Sequence, residues 1–383
     1  MLEGVMNYMR THGLWRIVTE NDSYGEMEAV KIGVGWEGDG VILYRATQEE
    51  LDDFKERGVA VVLLSSEGPG AGVSRVLPDN LAAGRMAAKH LLSLGVKHFA
   101  YLARGETFYK EQEFAPGIRL YARERLAGFK SGLEAASYEP QVHYLPGYPL
   151  WKEDTWREIE QTVGEFLSSL PSTTGLFVAD DPLAAVVLRA ASKVGIEVPR
   201  DLAVLGFGDD PNYCHASLPA LSSIAYPARE VGYCAAEELD RLLGSEERGA
   251  QSSRIPVEGI RKRESTDFIA IDDEETAKLV YWIRLHAPHE PVQVNDLEDQ
   301  SKYSLSSIKA KFRKYLGRSP KDEIKRVRLE HLQYLLKDAT VSFTEVADMM
   351  QFSSAHEMSR FFLREKGERP SAYRERYRKA VKE

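Results

Sequence analysis

The fold class this sequence predicts is an α/β body followed by an all-α C-terminal module. Three observations carry that expectation. Between about Val41 and Leu243, short β-branched or aromatic runs alternate with amphipathic stretches, the spacing of parallel α/β layers. After "IRKRESTDF" only helical periodicity remains, broken at "HAPHEP", "SKYS", "GRSP", "DATVS", "QFSS" and "GERP". Charge divides the same way. Residues 301–383 hold 20 Lys+Arg against 11 Asp+Glu, a net +9, so the remainder carries −18 within a total of −9. A basic module on an acidic body is the footprint of a nucleic-acid-binding domain joined to something else.

Taken in order, "LEGVMNYMRTHGLWRIV" reads as a helix followed by a strand. "GVGWEG" matches G-x-G-x-x-G at Gly33, Gly35 and Gly38, but a strand-like "DGVILY" follows where a dinucleotide site needs a helix, so it reads as a turn. "VAVVLLS", "KHFAYLA", "TGLFVAD" and "LAVLGFG" supply further strands. "NLAAGRMAAKHLLSLG", "RERLAGFKSGLEAA" and "PLAAVVLRAASKVG" supply helices that stop near glycine. The expected boundary lies near Asp267 to Asp273, giving a body over 1–266, an interdomain segment over 267–281 and a helical module over 282–383.

Several function classes are disfavoured. No run of 18 apolar residues exists, and the N-terminus lacks the pattern of an export signal, which points to a cytoplasmic protein with no membrane partner. Cys214 and Cys234 form no zinc or redox motif, and "HAPH" (His286, His289) has no neighbouring ligands, so neither metal nor cofactor is expected. Asp180–Asp181 and Asp209–Asp210 are adjacent carboxylates without a nucleophile–base set, which argues against an enzyme.

The helical module carries the sharpest motif. In "SFTEVADMM", Ser342 and Glu345 have capping-box spacing, and Phe343, Val346, Ala347 and Met350 share one face. "QF" turns the chain, Ser353 is placed to cap the next helix, and Met358, Phe361 and Phe362 point inward. Ser354, Ala355, His356, Glu357, Ser359 and Arg360 are left outward, as a DNA-reading helix requires. An earlier unit repeats the scheme, with Leu305, Ile308, Phe312 and Leu316 inward and Ser306, Ser307, Lys309 and Lys311 outward. A long helix, "SPKDEIKRVRLEHLQYLLKD", lies between the two. "VRLEHLQYLL", "VSFTEVADMMQFSSAHEMSRFF" and "GERPSAYRERYR" resemble the DNA-binding domain of the arabinose-operon regulator (AraC) family over about Val292 to Arg378. That resemblance implies two helix-turn-helix units on double-stranded DNA. Lys302 and Gln351 stand at turns where the family pattern often has glycine.

The α/β body carries a second resemblance. "VLPDNLAAGRMAAKHLLSLGVKHFAYL", "YARERLAGFKSGLEA", "TTGLFVADDPLAAVVLRAASKVGIEVPRDLAVLGF" and "LPALSSIAYPAREVGYCAAEELDRLL" resemble the effector domain of lactose/galactose-repressor type regulators over Asp39 to about Leu243. The likeness implies two α/β lobes closing on a sugar, a ligand of hydroxyls and an apolar ring face. By motif position the effector site takes Asp79 and Asn80 from one lobe, Arg125 and Asp180 from the other, Trp156 (or Trp151) as the stacking ring, and Tyr226 where the chain recrosses. Asp79 also suits a helix cap. The Asp usual after the "LAVLGF" strand is here Gly208, and Asp209, one residue late, is the effector-site candidate in its place, so an effector other than the usual pentose is left open. The first strand of such a body is missing ahead of "LEGVM", and an upstream start is the expected reason. The two resemblances together, in this order, are similar to the xylose-operon type of pentose regulator. They imply an activator, a homodimer and contact with RNA polymerase. The alternatives are a regulator answering to another polar metabolite and a sugar-modifying enzyme with a fused helical domain.

Overall fold

The computed structural model describes residues 1–13, 15–17, 38–44, 46–66, 72–104, 120–145, 155–244, 249–267, 271, 273–337 and 341–382. The chain divides into two compact units, Met1–Phe268 and Ile269–Glu383.

The first unit holds two sheets. In one, β1 (Gly40–Leu43), β2 (Ala60–Leu63), β3 (Ser74–Pro78) and β9 (Ser252–Ile255) lie side by side and parallel. In the other the order is β10 (Ile260–Arg261), β8 (Ser222–Ala225), β7 (Leu202–Gly208), β6 (Thr174–Val178), β4 (His98–Arg104), β5 (Gln141–Leu145), parallel except for β10. Helices α1 (Leu2–His12), α2 (Gln48–Glu56) and α8 (Ala228–Gly244) belong with the first sheet. Helices α3 (Asn80–Ser93), α4 (Leu120–Glu134), α5 (Thr155–Ser168), α6 (Asp181–Lys193) and the short α7 (Pro211–Cys214) belong with the second. The chain passes between the layers after β3, after β8 and after β9, so two lobes share one domain, as a two-lobed binding-protein-like body requires. β1 follows the "GVGWEG" glycines as a strand, although Gly33 and Gly35 themselves fall outside the described residues. Of the strand expected after α1, Trp15–Ile17 are not in a sheet, and the residues beside them lie outside the described ones.

Apolar clusters cover both sheets. Strands β4, β6 and β7 are buried on both faces, with Tyr101, Leu102, Phe177, Val178, Val204 and Leu205 all inaccessible, as a parallel sheet covered by helices demands. Helices α3 and α4 approach unusually closely. A Cβ on Gly84 would fall 2.1 Å from the Arg125 carbonyl oxygen, and one on Gly128 would fall 2.1 Å from that of Leu81. Only glycine permits that backbone contact.

The second unit is helical: α9 (Glu274–His286), α10 (Asp296–Asp299), α11 (Leu305–Leu316), α12 (Pro320–Lys337), α13 (Phe343–Met349), α14 (Ala355–Lys366) and α15 (Pro370–Lys382). The 267–281 segment is thus only partly a connector. Its later residues form the start of α9, whose Leu279 and Val280 are buried in the helical core. Ser342 and Glu345 make the expected capping box, and Val346, Ala347 and Met350 are buried against Met358 and Phe362. Helices α11 and α14 both end at a left-handed glycine, Gly317 (φ 68°) and Gly367 (φ 80°), with Pro320 and Pro370 opening the next helix. The repeated Gly-x-x-Pro is therefore a helix stop followed by a helix start. One capping expectation is corrected. Ser354, not Ser353, is the N-cap of α14 and accepts from the Glu357 N–H.

Two buried charges organise this unit. The Glu323 carboxylate is fully buried on α12 and is paired with Arg284 (3.1 Å), Arg326 (2.7 Å) and Arg318. Burial alone would raise its pKa, but the arginines outweigh it and hold the carboxyl down at about 2. Arg328 is buried too, donating to the Ala287 carbonyl (3.0 Å), the Glu290 carbonyl and the Met350 carbonyl (2.8 Å), so α12 is tied to the ends of both α9 and α13.

Because the folded Glu323 pKa lies below its ordinary value of 4.5, its contribution to stability is fully present above pH 4.5 and is lost as pH falls towards about 2. Glu323→Gln should remove that part of the acid transition in a urea-midpoint series against pH. An unchanged pH profile would contradict the assignment. At the turn before α14, Gln351 has φ 52°, whereas Lys302 is not among the positive-φ residues. Gln351→Gly should therefore stabilise the unit by about 1 kcal/mol, and Lys302→Gly should not. Chemical denaturation of the two variants checks the contrast.

Candidate effector site and candidate nucleic-acid interface

In the first unit, four expected residues (Asn80, Arg125, Asp180 and Tyr226) gather at the carboxyl ends of the second sheet's strands, where ligands of open α/β sheets bind. Arg125, on α4, is 5% exposed. Its guanidinium lies 3.3 Å from the Phe207 ring centroid and 4.6 Å from that of Tyr121. Its Nε donates to Asn80 Oδ1 at 2.9 Å, and its Nη1 donates to the Ala179 carbonyl. Burial lowers the Arg125 pKa, opposed by Tyr121, Tyr101 and Asp180. A guanidinium this basic stays charged nonetheless. Asp180 follows β6 and caps α6, accepting from the Leu183 N–H at 2.9 Å. It also accepts from Tyr121 Oη (3.4 Å) and faces Arg104 at 3.8 Å. Tyr226 stands at the crossing between β8 and α8, its ring 6.3 Å from Phe207. Burial, then Tyr44, push its hydroxyl up to about 12.

This constellation offers a fixed cation, a carboxylate and several ring faces, the inventory that a polyol needs. Tyr121, Arg104, Phe207 and Tyr44 were missed in the sequence. Tyr121 carried a usable signal, one helical turn before Arg125. Phe207 did not, because within "LAVLGFG" it is indistinguishable from a core residue.

Two expected effector residues are differently employed. Asp79 accepts from the Ala82 N–H at 2.8 Å and is the N-cap of α3. Asp209 is turned away. Its backbone is left-handed (φ 56°), and its carboxylate meets Arg263 at 2.6 Å and Arg261 at 3.8 Å. The one-residue lag after β7 thus sends this side chain to the strand that leaves the lobe, not to Arg125. Trp151 and the side chain of Trp156 fall outside the described residues, although Trp156 lies on α5. The other adjacent carboxylates also have structural partners. Asp181 is fully buried, accepts from Ser223 Oγ (2.7 Å) and the Asp210 N–H (2.9 Å), and has its pKa raised by burial. Asp210 caps α7.

In the helical unit, Ser306 and Lys309 on α11 and Ser354, His356, Glu357 and Arg360 at α14 are exposed, with Ser307, Ala355 and Ser359 half-buried beside them. Helix α12, 18 residues long, spans about 27 Å between the two outward helices, near the ~34 Å of one DNA turn. Two members of the expected set are committed within the protein. Lys311 pairs with Asp273 at 2.6 Å and lies over the Tyr303 ring, so it braces α11 against the start of α9. The Glu357 carboxylate accepts from the Ser353 N–H (2.8 Å) and hydroxyl (2.6 Å), completing the cap of α14. Among the described residues, no helix is long and apolar enough to cross a membrane.

Comparison with known proteins agrees with this two-part architecture. A family profile described as "Periplasmic binding protein-like domain" matches residues 88–266, and one described as "Helix-turn-helix domain" matches residues 297–376. The Xylose operon regulatory protein of Escherichia coli strain K12 is 27% identical over 98% of this chain and 93% of its own length. The Xylose operon regulatory protein of Haemophilus influenzae is 25% identical over 78% of this chain and 74% of its own. The solved structure of a xylose-binding transcription activator superposes with a TM-score of 0.73 at 26% identity, covering 98% of this chain and 93% of that one. The chain is a homologue of the xylose operon regulatory proteins, with a periplasmic-binding-protein-like domain ahead of a helix-turn-helix domain.

Proposed function

We propose that this protein is a sugar-responsive transcription regulator that binds double-stranded DNA and acts as an activator of pentose-utilisation genes. The single observation that carries the sugar half is the buried Arg125, held between Tyr121 and Phe207 beside Asp180. The DNA half rests on the exposed faces of α11 and α14 in a basic module, and on kinship with the xylose operon regulators. A homodimer on a two-part operator and contact with RNA polymerase belong to this reading, as does a cytoplasmic location. A second reading keeps DNA binding but replaces the pentose with another polar metabolite. It is favoured by one observation, the engagement of Asp209 with Arg263 instead of the cleft.

Arg125→Ala and Asp180→Asn, the latter keeping a capping side chain, should each weaken D-xylose binding by about 2 kcal/mol, because a buried polyol hydroxyl is left unpaired. Calorimetric titration reads the loss, and sugar-free DNA binding should persist in both variants. Wild-type titration curves from both would place the effector elsewhere. If the wild type binds a different polar metabolite and no pentose, the second reading holds.

For DNA, His356 and Arg360 lie one turn apart on the exposed face of α14. Base-edge contacts discriminate by about 1–3 kcal/mol, whereas phosphate contacts weaken binding evenly and reduce its salt slope. His356→Ala should relax specificity at one half of the operator with little change in salt slope, and Lys309→Ala should do the reverse. Binding to single-base operator variants at two salt concentrations separates the two. Equal losses on every sequence for His356→Ala would mean that α14 does not read bases.

A further inference from the structure

Behind the candidate effector arginine runs a chain of polar contacts that the function above does not use. Arg125 Nε donates to Asn80 Oδ1 (2.9 Å), and Asn80 Nδ2 donates to Glu124 Oε2 (2.9 Å). The same Glu124 carboxylate receives both terminal nitrogens of Arg254, at 3.0 and 2.7 Å. Arg254 lies on β9 in the first sheet, while Glu124 lies on α4 over the second. The fork therefore joins the two lobes between which the effector is expected.

Donor and acceptor chemistry makes this chain directional. A guanidinium can only donate and an ionised carboxylate can only accept, so the amide between them has one satisfied orientation. With Asn80 and Arg125 almost wholly buried, a reversed amide would leave a donor facing a donor inside the protein. Glu124 thereby sets the Asn80 amide, and Asn80 sets the rotation of the guanidinium about Nε. Arg254 in turn fixes Glu124 through a bidentate pair, the geometry that holds a carboxylate most rigidly.

We propose that Glu124 and Arg254 are positioning residues for effector binding. They orient Arg125 through Asn80 and tie that orientation to the approach of the two lobes. This rests on the reading of Arg125 as an effector-binding residue. The pair never touches the sugar. It makes the competent setting of Arg125 depend on β9 lying against α4, so sugar affinity and lobe arrangement share one set of contacts.

The test is a double-mutant cycle on the full chain with D-xylose as the probe, read by calorimetric titration, with the sugar-free thermal midpoint as a record of folding. Glu124→Gln and Arg254→Met should each weaken D-xylose binding about fivefold, and together by about the same factor instead of the product, because residues in one network are not additive. Arg254→Lys should recover part of the loss. A purely structural role would lower the midpoint and leave the affinity of the folded protein unchanged. That outcome, wild-type affinity in both single variants, or losses that multiply would each overturn the proposal. Arg125→Ala, measured alongside, separates the two levels. If it abolishes binding while the Glu124 and Arg254 variants bind normally, only the positioning role falls. If it binds as wild type does, or the wild type binds no D-xylose, the cleft reading falls and this proposal with it.

Discussion

The backbone contact between α3 and α4 at Gly84 and Gly128 is the constraint on which the effector end of the molecule depends. Each helix presents glycine where the other presents a carbonyl, so the axes approach closer than any side chain would allow. That approach puts Asn80, at the first position of α3, beside Arg125 and Glu124 on α4. A methyl group at either glycine would push the helices apart and separate the hydrogen-bonded chain. The polar site is therefore a consequence of an apolar packing detail.

The helical unit solves a different problem with buried charge. Removing Glu323 and Arg328 from water costs several kcal/mol per ion unless partners replace the lost hydration. Glu323 has three arginines, and Arg328 has three carbonyls, from Ala287 and Glu290 just after α9 and Met350 just after α13. Those partners come from α9, from α12 itself and its approach, and from the end of α13, so the long helix cannot rotate without breaking them. This gives the two outward helices a fixed spacing from a connector that sequence periodicity describes only as amphipathic.

Charge in the basic module is less available than its count implies. Lys311 is bound to Asp273, and Glu357 closes the cap of α14 through Ser353. Helical periodicity places Lys311 on an outward face but does not say whether a neighbouring element supplies a partner there. Asp209 shows the same limit at a strand end. A left-handed residue after Gly208 redirects its carboxylate to Arg263, a change of direction that no run of residue types announces.

What the sequence alone determined was for the most part governed by contacts within a turn or two of chain. That includes the alternation of strand and helix, the capping box at Ser342, the paired Gly-x-x-Pro exits, and the division of charge between body and module. Family-like motifs extended this to the two-lobed body and brought Arg125 and Asp180 forward as candidates. Tertiary structure decided which side chains are free and which are employed. Arg254 meets Glu124 across 130 residues, Arg263 meets Asp209 across 54, and Lys311 meets Asp273 across 38. The physical reason is that capping and periodicity are local properties of the backbone, whereas an ion pair needs two segments brought together by a core neither of them encodes.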